Sequence, residues 1–418
     1  MQDAAAPQRP PRSPHVRSIL AAAFTAILVA APALAQDGPF SAWRDGFSST
    51  LTGEGVRSDT VASMFDGVEP DDRVIDRDRT QPEFVRPIWQ YLEGAVSPER
   101  VANGRRQHDR IQPTLREIEG RFEVDSEVLV AIWGLESAYG AIQGDFDVVR
   151  SLATLAWEGR RRNFAESQLR AVAQMLENGY ATREQLRGSW AGAMGHTQFI
   201  PATYIERAVD FTGNGRRDIW NSEADALASA ANLLARAGWT YRDPVFAEVA
   251  LESGFNYAGW NESARRTVAE WAAQGVRPAG GGEFSADDLY REARLIIPAG
   301  SGGPAFLAYR NFEALLRYNN STAYVLGVGY LAQSIAGTGS LATGWPENDP
   351  PISRSQSQRL QETLTAMGHD TGGVDGVIGP NTRRAIREFQ ENTGMEPDGY
   401  AGRAVFDAVM SAAGERGL

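Results

Sequence analysis

The chain has no cysteine and no lysine in 418 residues; all 41 basic side chains are arginine. Without a thiol there is no cysteine nucleophile, thiolate metal site, disulfide or lipid-modified N-terminal cysteine. Without lysine there is no Schiff-base chemistry and no phosphate-loop lysine. Positive charge is scarce overall. The formal net charge is −12, and the first 35 residues carry three Arg and one Asp, so their removal leaves −14. Such an acidic chain is no nucleic-acid partner. Long apolar runs are also missing. The segment Ile19 to Ala31 is too short to span a bilayer, which takes about 20 residues. Preceded by Arg9, Arg12 and Arg17 and followed by Ala33-Leu34-Ala35, it reads as an export signal over residues 1–35 that is removed before Gln36. The expected product is exported, soluble and periplasmic, is not a lipoprotein, and makes no stable membrane insertion.

What is present is mostly helical. From Phe40 to about Gly337, aromatic and aliphatic residues recur at three-to-four spacing. The exception is a pair of runs at 293–298 (ARLIIP) and 304–309 (PAFLAY) joined by Ala299 to Gly303, which predicts a hairpin. Arg277 to Glu283 (RPAGGGE) reads as a loop before it. Thr338 to Pro351 has five Gly or Pro residues and no apolar periodicity, so it reads as a linker. A compact block follows from Ile352 to about Ala413. In it an Asp-Gly-x-x-Gly element occurs at Asp375 and again at Asp398, each before a helical pattern, where Asp and Gly supply turn geometry and a helix start.

The chemistry is concentrated in two stretches. In the first, IWGLESAYG, Glu136 stands among bulky apolar residues. Helix-start residues Asp125 and Ser126 precede it, and Leu129, Ile132, Trp133 and Tyr139 recur at helical spacing. Glu136 is four residues after Ile132 and seven after Leu129, so it shares their face. Burial would keep the carboxyl protonated towards neutral pH and fit it as a general acid. A buried Glu paired with an Arg, or capping a neighbouring helix, is the plainer alternative. The second stretch, GSWAGAMGHTQFIPATY, begins at Gly188. Its small residues Gly192, Ala193 and Gly195 allow a backbone close to a ligand, and Ser189, His196, Thr197 and Gln198 offer hydrogen bonds of the kind sugars accept and donate.

Together these stretches resemble the type B family of lytic murein transglycosylases over about Phe40 to Gly337, and the block from Ile352 onward resembles a peptidoglycan-binding domain. The implied fold is mainly α (α+β): a lysozyme-like helical catalytic domain (36–337) with a small β insertion, a linker (338–351) and a small C-terminal helical peptidoglycan-binding domain (352–418). The resemblance implies Glu136 as the single acid and base, with Ser189 and Gln198 from the second signature. It further implies Tyr91 in WQYLEGAVSPERV, Arg161 and Arg162 in EGRRRNF, and Tyr318, Asn319 and Tyr324 in RYNNSTAY as substrate contacts. Every one of these residues precedes the linker, so a chain ending near Gly337 is expected to cleave soluble strands.

The implied reaction cuts the MurNAc–GlcNAc β-1,4 bond without water and leaves 1,6-anhydroMurNAc ends. Peptidoglycan glycan strands are the implied partner, alongside cell-wall synthesis or remodelling proteins. A hydrolase of lysozyme type would instead need a second acid such as Asp145, Asp147 or Glu158 facing Glu136; a silent wall-binding protein would need only the C-terminal block. No cofactor is expected to be required. One loop, DFTGNGR, starts like a calcium loop, with Asp210, Thr212, Asn214 and Arg216 at alternate positions. Its twelfth position is Asn221, so Asp225 would have to substitute, and the expectation is at most a weak Ca2+ or Na+ site.

Overall fold

A computed structural model describes residues 38–79, 87–339 and 341–416. The expected export segment lies outside these residues. The body is mostly helical and is built on three apolar cores. One surrounds the helix Ser126–Ser137, which packs against the helices Pro98–Arg110 and Thr322–Ala336. A second joins the N-terminal helices Phe40–Gly53 and Ser58–Phe65 to Val148–Glu158 and Arg162–Glu177. The third is aromatic, with Phe255, Tyr257, Trp260 and Trp271 buried behind a sheet.

Two short strands, β1 (Phe146–Asp147) and β2 (Arg187–Gly188), pair with each other. The remaining five are β3 (Phe246–Leu251), β4 (Arg265–Thr267), β5 (Val276–Pro278), β6 (Glu292–Ile296) and β7 (Ala305–Ala308). They form one antiparallel sheet in the order β4-β6-β7-β3-β5. The expected hairpin is β6–β7, with Ile296 opposite Phe306. Side chains alternate across a strand, and here the alternation divides two cores: Phe306 and Ala308 face the core of the Ser126–Ser137 helix, while Ala305 and Leu307 face the aromatic one. The hairpin is therefore only part of a larger sheet. β3 pairs with β5 and β7 far along the chain, a non-local arrangement that short-range pattern does not reveal, and Arg277 and Pro278, expected in a loop, belong to β5.

The C-terminal block is three helices, Arg354–Ala366, Pro380–Thr393 and Arg403–Arg416, around Leu360, Leu364, Ile386, Phe389 and Val409. Ser353 and Gln356 form a capping box at its first helix. The segment before the block departs from a free linker. Glu248 on β3 accepts hydrogen bonds from the Ala342 and Thr343 amides at 2.8 and 2.7 Å. Trp345 stacks on Trp89 at 6.1 Å and lies 6.4 Å from Phe306. The block itself meets the β6–β7 turn, where the Ser301 amide donates to Asp398 at 2.8 Å, and Arg387 lies 5.9 Å over Trp260. Turn-type composition hid these anchors because each depends on a distant partner.

Candidate active site

The helix carrying Glu136 is buried on nearly every side: of its twelve residues only Glu127 is not buried. Its apolar periodicity consequently points nowhere in particular, and it is the packing of neighbours that singles out Glu136. Asp125 precedes the helix but makes no side-chain cap; its carboxylate accepts instead from Trp239 Nε1 and the Arg242 amide. The other end is shaped by the motif itself. Ala138, Tyr139 and Gly140 all have positive φ, which ends the helix at Ser137, one residue after Glu136. Tyr139 then folds back edge-on against Trp133 and donates to the Arg100 carbonyl at 2.8 Å. Gly134 makes room for that ring: a Cβ there would sit 2.6 Å from it.

The next residue links the two signature stretches. Ser137 Oγ donates to the His196 carbonyl at 2.6 Å and accepts from the Gly140 amide. Trp133 Nε1 donates to His196 Nδ1 at 3.0 Å, and burial lowers the His196 pKa, so the ring is neutral. Met194 and Phe199 exchange both backbone hydrogen bonds, closing Gly195–Gln198 into a tight tip. Gln198 sits there at φ 51°, its amide nitrogen donating to the carbonyls of Gln143 and Gly195. Ser189 Oγ accepts from the Ala191 and Ala193 amides and braces the preceding loop. Glycine is required at 188 and 195: a Cβ would fall 2.0 Å from the Ala193 carbonyl and 2.4 Å from that of Ile219.

Three tyrosines surround the carboxyl group. Tyr324 Oη donates to Glu136 Oε1 at 2.6 Å. Tyr318 stacks on Tyr324, with centroids 6.3 Å apart and planes 10° apart, and donates to the Thr197 carbonyl at 2.6 Å. Tyr91 approaches across Gly327, where a Cβ would lie 3.0 Å from its ring; its buried hydroxyl has no partner among the described residues. Burial and the charge of Glu136 raise the pKa of all three phenols, so they act as donors and not as bases. Glu136 is 4% exposed, and burial pushes its carboxyl up to about 8 against the opposing pull of the Tyr324 hydrogen bond.

Glu136, Tyr91, Tyr318, Tyr324 and the Gln198 tip are thus brought together. Asn319 is buried beside Tyr318, with its carbonyl accepting from the Ser321 amide. The arginines stand differently. Arg161 is buried, paired with Asp78 at 2.8 Å, and lies over Trp190 next to Ser189, so its charge is already compensated. Arg162 Nε donates to the Ala156 carbonyl at the start of its helix. No candidate second acid joins Glu136. Asp147 caps the helix Val148–Glu158 and pairs with Arg183, Glu158 pairs with Arg79, and Asp145 is exposed.

The calcium-like loop folds on its own amides. Asp210 accepts from Gly213, Asn214 and Gly215, and Asn214 Oδ1 accepts from Arg216. Asp225, fully buried, accepts from Phe211, Thr212 and Asp218. Among the described residues no group of three or more His, Cys, Asp or Glu is placed to hold a metal ion, and the side-chain oxygens of Asp210, Asn214 and Asp225 are directed at backbone amides. Sequence reasoning missed the Trp133–His196–Ser137 braces. A polar residue directly after Glu136 in an apolar helix was the one signal for them.

A mostly helical body that buries Glu136 under tyrosines has the parts of an acid-catalysed glycan-cleaving enzyme. Residues 39–333 match the transglycosylase SLT domain family, and residues 353–409 match the putative peptidoglycan binding domain family. The chain belongs to the first of these families, the lytic murein transglycosylases, and it carries the second domain at its C-terminal side. It is 27% identical over 293 residues to membrane-bound lytic murein transglycosylase B of Escherichia coli K12, covering 68% of this chain and 76% of that protein. It is similar to SltB3 of Pseudomonas aeruginosa in complex with NAG-anhNAM-pentapeptide, at 47% identity and TM-score 0.86, over 89% of this chain and 99% of that one. The Escherichia coli transglycosylase Slt35, crystallised with calcium, is 25% identical with TM-score 0.61, over 72% of this chain and 93% of that one. Among the described residues no helix is long and apolar enough to cross a membrane.

Proposed function

We propose that this lytic transglycosylase cleaves the MurNAc–GlcNAc β-1,4 bond of peptidoglycan with Glu136 as acid and then base, and without water. The observation that carries this reading is the buried carboxyl of Glu136, held near pKa 8 with one oxygen accepting from Tyr324. With Oε1 so occupied, Oε2 carries the proton and gives it to the glycosidic oxygen as the bond to C1 breaks. The carboxylate left behind is stabilised by the Tyr324 hydroxyl, and it takes the proton of the MurNAc C6 hydroxyl as O6 closes onto C1. One carboxyl serves both steps because donating a proton creates the base the second step requires. Tyr318 and Tyr91 would wall the cleft, and the Tyr91 hydroxyl, buried and with no partner among the described residues, would take a hydrogen bond with the sugar. The relative crystallised with an anhydro-muropeptide supports the same product class. Neither step calls for a metal.

The experiment is digestion of purified peptidoglycan with mass analysis before and after borohydride. MurNAc-terminated fragments one water lighter than lysozyme-type products, and inert to borohydride, are expected. Reducible MurNAc ends as the main product would make the enzyme a hydrolase.

A further inference from the structure

The helix Ile88–Ala95 bears Tyr91 and is the least self-sufficient element of the site. It has eight residues and no side-chain cap, well below the length at which a helix holds in water on its own, so its place is set by what packs on it. On one side lies the helix Thr322–Ala336, which Gly327 lets approach to contact with Tyr91 and Ala95. On the other, Trp89 is 6% exposed and stacks on Trp345. Trp345 is itself held in three ways. Its strap is tied to β3 through the two oxygens of Glu248, its ring lies against Phe306 on β7, and Pro346 sits 3.2 Å from the position a Cβ would take at Gly303. Further along, Asp349 accepts from the Ala404 amide, and its carbonyl accepts from Tyr400 Oη, which joins the strap to the C-terminal block.

We infer that Trp345 is a positioning residue for the reaction: through Trp89 it fixes the helix that presents Tyr91 to the cleft. The inference rests on the reading of Tyr91 as a cleft residue in the proposed function. The strap therefore belongs functionally to the catalytic body, although it lies in the segment whose composition reads as a linker. A chain cut near Gly337 loses this support, contrary to the expectation that all the required parts precede the linker.

The test is a double-mutant cycle in the full-length protein on soluble glycan strands, with Trp345→Ala, Tyr91→Phe and the double variant. Misplacing a contact group from a distance can cost up to about a hundredfold, and for Trp345→Ala a loss of about tenfold in kcat/KM is expected. In the Tyr91→Phe background the same change should cost less than about twofold, since the group it positions is gone. Trp345→Phe, which keeps an aromatic on Trp89, should restore most of the activity. Equal losses in both backgrounds, or no loss from Trp345→Ala in a folded protein, would overturn the inference. Product analysis on the same samples keeps the two readings separate: reducible ends would remove the anhydro mechanism while leaving the measured coupling between Trp345 and Tyr91 intact.

Discussion

The C-terminal block and the Glu136 site both bury polar side chains, and they treat them in opposite ways. In the block, Gln361 Nε2 donates to Asp375, the Val377 carbonyl and Thr382, and its Oε1 accepts from the Gly376 amide. The same construction recurs at Gln390, which donates to Asp398 and accepts from the Gly399 amide. In each copy the Asp also accepts from the amide two residues on, at Val377 and Tyr400. The two Asp-Gly elements are a repeated structural staple in which every partner is satisfied. At the Glu136 site, by contrast, among the described residues Glu136 has a single donor and the buried Tyr91 hydroxyl has no partner, and burial works against the ionised carboxylate. A satisfied buried network fixes a shape; an under-satisfied one leaves capacity for a ligand or a proton.

The largest effect should follow from removing that capacity. Glu136→Gln keeps the shape and an acceptor for Tyr324 but has no proton to give, so kcat should fall about a thousandfold with the fold retained. Retention of a tenth of wild-type activity by the folded variant would exclude Glu136 as the acid. Stability should move the other way as pH rises. Because the folded pKa of Glu136, about 8, lies above the ordinary 4.5, its contribution is fully present below about 4.5 and is lost as pH rises through about 8. The Gln variant lacks this dependence. Its melting temperature relative to wild type should increase between pH 5 and 9, by the equivalent of a few kcal/mol at most, on the order of 1.4 per pK unit. Wild-type activity should fall over the same rise through about pH 8. An unchanged gap between the two melting curves across that range would show that Glu136 is not held protonated.

A satisfied buried group should behave differently. Gln361→Ala strands the Gly376 amide and removes a buried side chain's bonds to Val377 and Thr382, at a cost of about 1–3 kcal/mol to the block. Hydrogen exchange should report lost protection across 380–409, and sedimentation with sacculi should weaken, while cleavage of soluble strands changes less than about twofold. A tenfold loss on soluble strands would mean that the block's interior is coupled to the cleft and that the contrast between the two regions is too sharp.

These regions also differ in how far they could be read from sequence. Glu136 was legible because a carboxylate in IWGLESAYG has no local reason to be there, and the Asp-Gly elements were legible because turn chemistry is local. The β6–β7 hairpin was legible for the same reason. The strap was not, since Trp345 and Glu248 acquire meaning only from partners more than ninety residues away, or across the sheet. Nor was the role of Asp125, which has the type of a helix cap but serves Trp239 and Arg242. Arg161 read as a groove cation because its compensating acid, Asp78, lies on another helix.

The smallest effect is expected where the sequence suggested a cation. Asp225 belongs with the satisfied groups of the block: fully buried, it accepts from three backbone amides, and Asp210 accepts from three more. An ion would have to compete with N–H groups already directed at those oxygens, and Thr212 and Asn214 bring no charge to help it. The related Slt35 was crystallised with calcium, which makes the comparison worth measuring. Treatment with a chelator should leave activity unchanged and shift the melting temperature by less than about 2 °C, under about 1 kcal/mol for a chain of this size. Inactivation, or a drop of about 10 °C reversed by added Ca2+, would show that the loop rearranges around an ion and that Asp225 is a ligand. In that case a full set of amide partners does not by itself keep a buried acid from taking a ligand, and only the buried Gln361 and Gln390 networks act as closed staples.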